Sequence, residues 1–153
     1  MDPETYMRQA LALAAEAAAD GEVPVGCVAV CDGRVVGRGR NRQERERNAQ
    51  AHAEMEALAE AARTLGRWRL NDVALYVTLE PCPMCAGAIM NARVGAVYFG
   101  ARDRRAGACG GVINLFMEDF PHSPAIRGGV LEEECAEVLA AFFRDIRKNL
   151  RLS

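Results

Sequence analysis

Apolar residues recur at helical spacing through Met7, Ala10, Leu11, Ala14, Ala15 and Ala18, behind an Asp2-Pro3 opening that supplies an N-cap and a first-turn proline. Gly21 closes this first predicted helix. From Val25 to Cys31 the pattern becomes a short Val-rich run. Asp32-Gly33 before Arg34-Val35-Val36 is a two-residue hairpin signal, so two antiparallel strands follow. Ala51 to Leu65 returns to helical spacing and ends at Gly66. Val73 to Leu79 is a nearly continuous apolar strand, Pro81 to about Ala92 a helix, and Val94 to Phe99 a fourth strand. A strand, helix, strand succession implies a parallel crossover. Ile126 to Val130 reads as a short strand. Leu131 to Leu150 reads as a helix with Cys135, Val138, Leu139, Phe142, Phe143 and Ile146 facing inward, while Gly100 to Arg127 carries no clear period. The order α-β-β-α-β-α-β-(β)-α predicts an α/β fold, a mixed sheet with helices on both faces.

Composition narrows the class of molecule. The 153 residues are 50% apolar and 26% charged, enough for a core without disulfide staples, and no repeat or linker interrupts them, so residues 1–153 are expected to form a single domain. Six cysteines at 27, 31, 82, 85, 109 and 135 do not form the pattern of a small secreted scaffold, and reduced thiols in a cytoplasmic protein are expected. Asp2, Glu4 and Glu16 interrupt what would otherwise resemble a secretory leader, and no run reaches the ~20 apolar residues of a membrane span. A net charge of -2 argues against a general polyanion binder and leaves only local basic patches as a nucleic-acid footprint.

The chemistry concentrates in two short motifs. His52-Ala53-Glu54 opens one predicted helix and Pro81-Cys82-Pro83-Met84-Cys85 the next. Cys82 and Cys85 are three apart, so in a first helical turn both sulfurs face one side, and the positive helix end favours thiolate. His52 and Glu54 are two apart and would point away from each other inside a helix. They can share a site only at a helix end. Two helix N-termini converging on one ion are therefore expected, with three zinc-type donors and one carboxylate. Three protein donors leave tetrahedral zinc one open position, where it can lower the pKa of a water from ~15.7 toward ~7. Glu54 fits the accompanying proton acceptor.

The pattern H-x-E followed by P-C-x-x-C is a known signature of zinc nucleobase deaminases. With Glu22-Val23-Pro24-Val25-Gly26, Asn41-Arg42, the stretch Leu75 to Ala88 and the stretch Phe99 to Asp103, the chain resembles the bacterial tRNA-specific adenosine deaminases of the TadA type, within the cytidine deaminase superfamily. The resemblance implies a three-layer α-β-α cytidine-deaminase-like fold with a mixed five-stranded sheet, and one Zn²⁺ per subunit held by His52, Cys82 and Cys85. It further implies hydrolytic deamination of adenosine to inosine at the wobble position of a tRNA anticodon stem-loop, by a cytoplasmic homodimer whose subunits both contact the RNA. Glu54 is then the catalytic proton carrier, and Asn41 hydrogen-bonds the base. Ala53 gives a backbone contact, Val23 an apolar wall, and Asp103 joins the substrate-binding set. Arg102, Arg104 and Arg105 would touch RNA, with His122, Phe142 and Phe143 as weaker candidates. The chain departs from the family at Ala49-Gln50, where Pro-Thr is usual, and at Pro121-His122, where Asn-His is usual.

Other readings stay open on the residues alone. Cys82 and Cys85 could form a redox pair, although His-x-Glu at the matching helix position favours metal. Cys27, Cys31 and Cys135 fit core positions, and Cys109 as a fourth donor would close the zinc site. No Walker-type lysine follows Gly107 to Gly111, so no nucleotide cofactor is expected. The arginines from Arg34 to Arg47 suit a solvated mixed surface as well as an RNA track, and Phe142 and Phe143 suit a core as well as a stacking surface. A deaminase of a free nucleobase or nucleoside is the rival activity. A non-catalytic zinc-stabilised interaction module is the rival class.

Overall fold

The computed structural model describes residues 2–152. Helix α1 (Pro3–Ala19) starts at the expected cap, with Asp2 Oδ1 accepting from the Thr5 N–H at 3.0 Å. Its buried stripe is Tyr6, Met7, Ala10, Ala14 and Ala17. Ala15, expected inward, is exposed, because alanines line both sides of this helix and the pattern does not separate them. Strands β1 (Gly26–Cys31) and β2 (Arg34–Arg40) form the hairpin. Asp32 and Gly33 turn it with φ of 51° and 72°, the left-handed pair of a type I′ turn.

A short helix α2 (Gln43–Glu46) precedes α3 (Ala53–Leu65), β3 (Val73–Leu79), α4 (Pro83–Asn91) and β4 (Ala96–Ala101). A 3₁₀ turn (Leu115–Met117), β5 (Ala125–Arg127) and α5 (Glu132–Leu152) complete the chain. The five-stranded sheet runs β2-β1-β3-β4-β5. β1 is antiparallel to β2 and β3, whereas β3, β4 and β5 are mutually parallel, as the crossover through α4 requires. Alternation assigns the faces. Cys27, Ala29, Cys31, Leu75 and Val77 pack with Ala57 and Ala61 of α3 and Ile89 of α4. Val28, Val30 and Tyr76 pack with Met7 and Ala10 of α1 and Cys135 of α5. The molecule is thus a three-layer α-β-α sandwich around a mixed sheet.

Several expectations need correction: α2 carries no apolar period and the pattern does not predict it, and the last strand is Ala125–Arg127 rather than Ile126 to Val130. β4 begins at Ala96 rather than Val94, because α4 ends in a turn in which the Val94 N–H donates to the Ile89 carbonyl at 3.2 Å and Arg93 adopts φ 59°. Val94 is buried in that turn, so its apolarity does not mark a strand. Along α5, Cys135 is buried but Phe143 and Ile146 are 40% and 39% exposed. A helix of 21 residues spans roughly 32 Å, against roughly 23 Å for a seven-residue strand, so its second half outruns the sheet.

The close approach of α3 to β2 depends on glycine. A Cβ at Gly39 would lie 2.0 Å from the Ala53 carbonyl oxygen and 2.8 Å from the Ala57 nitrogen, and one at Gly37 would lie 2.3 Å from the Ala57 carbonyl oxygen. Backbone atoms cannot swing aside as a side chain can. Gly39→Ala should therefore cost about 3 kcal/mol in urea unfolding, since α3 must lift off the sheet. A cost below about 1 kcal/mol would show that the contact is not tight.

Candidate metal centre and active site

The three expected donors lie at helix ends. His52 is the N-cap of α3 (φ -90°, ψ 153°) and Cys82 the N-cap of α4 (φ -76°, ψ 172°). The helices begin at Ala53 and Pro83, two residues later than the hydrophobic pattern suggests. Extended backbone at each cap turns the side chain back across the helix end. Nδ1 of His52 lies 3.4 Å from Cys85 Sγ and 3.7 Å from Cys82 Sγ, and the three donor atoms all lie within 4.8 Å of one another. A tetrahedral zinc with ordinary Zn–S and Zn–N bonds spaces sulfur and nitrogen about 3.6 Å apart, so the residues fit that ion. Cys109 does not join them. Its N–H donates to Glu80 Oε2 at 2.9 Å, it bridges to Asn114, and the cluster keeps three protein donors among the described residues.

The thiols are strongly coupled. The Cys85 thiol bonds the Cys82 sulfur, and with His52 beside it this brings Cys82 down to about 4. The same bond and burial raise Cys85, and the bond to Cys82 raises His52. One sulfur thus already holds negative charge, the form a cation needs. Glu54, one residue into α3, is buried, and desolvation pushes its carboxyl up to about 7 despite the opposing pull of its own backbone N–H and of His52. A carboxyl poised there can both accept and return a proton near neutral pH.

Above these groups is a cavity of about 160 Å³. Val23, Val25 and Leu79 give it apolar walls, and Asn41, Asp103 and Ala106 line it beside His52, Glu54 and Cys82. It opens into a wider groove of about 750 Å³, to which Val23, Leu79, Asp103 and Ala106 also belong. Arg102, Arg104, Arg105, Leu139 and Phe143 line that groove. Asn41 ties the rim together: its Nδ2 donates to the Val23 carbonyl at 3.1 Å and its Oδ1 accepts from the Ala53 N–H at 3.2 Å. One hydrogen and one lone pair of this amide remain for a base edge. The Ala53 N–H is already engaged by Asn41.

Some expected residues are placed elsewhere. The His122 ring is 2.7 Å from the Val94 carbonyl oxygen, beside the entry of β4, whereas the pocket lies beyond its exit. His122 is therefore not brought to the pocket. Phe142 is half-buried and meets Phe143 edge to face at 5.5 Å, leaving Phe143 as the ring on the groove. Arg102 folds partly back, 5.6 Å over the Phe99 ring. Three of the arginines around β2 pair with acids, Arg40 with Asp20 at 3.0 Å, Arg45 with Asp20 at 3.4 Å and Arg42 with Glu56 at 2.8 Å, which favours the solvated-surface reading for them.

Three residues escaped the reading of the sequence. Gln43 Nε2 donates to the Ala49 carbonyl and lies 3.1 Å from His52 Nε2, on the far side of the ring from the sulfurs. Glu22 caps α2, accepting from the N–H groups of Glu44 and Arg45 at 3.0 and 2.9 Å. Glu80 is buried in the pocket wall itself. Each acts on a segment far from it in the chain, or on backbone atoms that carry no residue-type signal.

Residues 1–101 match the cytidine and deoxycytidylate deaminase zinc-binding region. A tRNA-specific adenosine deaminase of Bacillus subtilis (strain 168) is 49% identical over 95% of this chain and 91% of its own length. The chain belongs to this deaminase family. A solved structure from a study of A-to-I editing by tRNA:A34 deaminases at the wobble position superposes with a TM-score of 0.85. It is 42% identical and covers 88% of this chain and 99% of that one. A guanine deaminase from Bacillus subtilis is more partial, with a TM-score of 0.64, 40% identity, and 67% and 66% of the two chains covered. The matched zinc-binding region of the deaminase family contains His52, Glu54, Cys82 and Cys85 and stops at Ala101. Asp103 and the groove arginines lie beyond it.

Removing zinc from this deaminase with a chelator should lower Tm by roughly 5–10 °C, and Cys85→Ser should start at the lower value and not respond to chelator. The metal-free protein should also report Glu54. A carboxyl raised from 4.5 to about 7 by burial stabilises the fold below its unfolded pKa, and that contribution is lost as pH rises through 7. Metal-free Glu54→Gln should therefore exceed metal-free wild type by up to about 3 kcal/mol at pH 8, with the gap closing below pH 4.5. A pH-independent gap in urea titrations would refute the burial effect.

Proposed function

We propose that the chain is a zinc-dependent hydrolase that converts adenosine to inosine at the wobble position of a tRNA anticodon, with residues 1–153 acting as one deaminase domain. The carrying observation is Glu54, a buried carboxyl beside a three-donor metal cluster, at the floor of a narrow pocket that opens onto an arginine-lined groove. His52, Cys82 and Cys85 would hold zinc, which when bound supplies the Lewis acidity that activates water for attack. Glu54 takes one proton of the attacking water and gives it to a purine ring nitrogen, then carries the second from the newly added oxygen to the departing amine as the C–N bond breaks, so that adenosine and water become inosine and ammonia. Asn41 offers its remaining donor and acceptor to the base edge, and Val23, Val25 and Leu79 exclude water from its faces. A pocket this narrow admits one base turned out of its stack, which a loop permits more cheaply than a duplex.

Arg104 and Arg105, exposed on the groove, and Phe143 suit the phosphates and bases flanking the target. A homodimer in the cytoplasm completes the reading. Val112, Ile113, Met117 and Phe120, 48–78% exposed on one segment, support a covered face. Among the described residues no helix is long and apolar enough to cross a membrane. The likeness to a guanine deaminase supports a second reading, turnover of a free base. The wide basic groove favours the first, because a free base would leave it empty.

Incubation with total tRNA from the source organism should produce inosine at a wobble adenosine. Glu54→Ala should keep one zinc per chain and lose at least about 10²-fold in rate. Affinity for an anticodon stem-loop should fall with salt at a log–log slope of roughly -2, as about three phosphate contacts require. Equal turnover of a free base and the stem-loop, with a flat salt response, would favour the second reading.

A further inference from the structure

The Glu80 side chain is fully buried and is held by backbone donors, with its one counter-charge only at the edge of ion-pair distance. Its Oε1 accepts from the Asp103 N–H at 3.0 Å, and its Oε2 accepts from the N–H groups of Cys109 and Gly111 at 2.9 and 2.8 Å. The Arg102 guanidinium stands 4.0 Å from Oε1 and is the one cation in reach among the described residues. The loop is shaped around this group. A Cβ at Gly107 would lie 2.2 Å from Oε2, and one at Gly111 would lie 2.6 Å from Oε1. Backbone bonds on either side continue the seam: the Glu80 N–H donates to the Ala101 carbonyl and the Ala108 N–H to the Pro81 carbonyl, both at 2.8 Å.

Glu80 stands two residues before Cys82, and the loop it holds carries the outer half of the pocket. Asp103 and Ala106 line the small cavity, and Arg104 and Arg105 line the groove. We infer that Glu80 is a positioning residue for substrate: its carboxylate latches loop 102–111 onto the metal-binding segment, so the wall facing the base and its neighbours is set before substrate arrives. The substrate half of this inference rests on the proposed function, while the latch itself does not. A latch of this kind lowers the ordering cost of binding and leaves the proton chemistry of Glu54, held by α3, untouched. Three converging N–H donors need two acceptor oxygens. A glutamine in place of Glu80 would offer one, and turn an NH₂ group toward at least one of those donors.

The test uses the zinc-loaded chain and Glu80→Gln. Amide hydrogen exchange at residues 103–111 should accelerate at least 100-fold while α3 and β3 stay protected and zinc stays at one per chain. KM for an anticodon stem-loop should rise at least tenfold with kcat changed less than threefold. Gly107→Ala, which keeps the carboxylate but crowds both it and the Asp103 carbonyl, should show the same pattern. Unchanged exchange in the loop, a loss confined to kcat, or loss of zinc together with the fold in both variants would overturn the inference. If wild type turns over no stem-loop, the functional reading fails, and the exchange comparison still decides the latch.

Discussion

The architecture turns on bringing two helix N-termini to one point. Each helix contributes a cap residue with extended backbone, His52 on α3 and Cys82 on α4, and each adds a second functional group within its first turn, Glu54 and Cys85. Side chains two apart cannot face one another inside a helix, but they can where the backbone changes from extended to helical. The same convergence directs two positive dipole ends at a cluster of sulfur and carboxyl groups, a pull toward the charged forms that is outweighed by burial at Glu54 and by the bond to Cys82 with burial at Cys85, but not at Cys82. It is possible only because α3 lies nearly on the backbone of β2, with Gly37 and Gly39 leaving room. The metal site is thus a consequence of how closely a helix packs on a sheet.

Three buried carboxyl groups show how one interior handles the same chemistry for different ends. Glu22 accepts from two N–H groups of α2 and orients the segment bearing Gln43. Glu80 accepts from three N–H groups of the loop after β4. Each is paired with backbone donors and serves as a tie. Glu54 sits among sulfurs and an imidazole, and burial raises its proton affinity into the neutral range. The group left with the least compensation is the one whose proton affinity lies near neutrality, which is what the proposed proton transfer asks of it.

Much of this was legible along the chain. The Asp2 cap, the Asp32-Gly33 turn, the apolar run Val73–Leu79 and the crossover to β4 each follow from local rules, and they suffice for a mixed sheet with helices on both faces. The His-x-Glu and Cys-x-x-Cys spacings named the donors and the carboxyl before any geometry, because spacing at a helix end dictates which atoms can meet. Placement was harder where side chains act at a distance. Ala15 looks like Ala14 until the sheet selects a face, and Phe143 looks like core until α5 outruns the strands beneath it.

By itself, then, the sequence determined the element order apart from the short α2, the identity of the candidate metal donors and the family's chemistry, since these rest on neighbours within one or two helical turns. Only the tertiary structure decided that Cys109 is held by Glu80 instead of closing the metal site, and that His122 lies at the wrong end of β4 to reach the pocket. It also decided that Gln43 backs the imidazole and that loop 102–111 is latched from beneath. Those contacts join atoms separated by many residues, several of them backbone N–H groups common to nearly every residue type, so no local pattern encodes them.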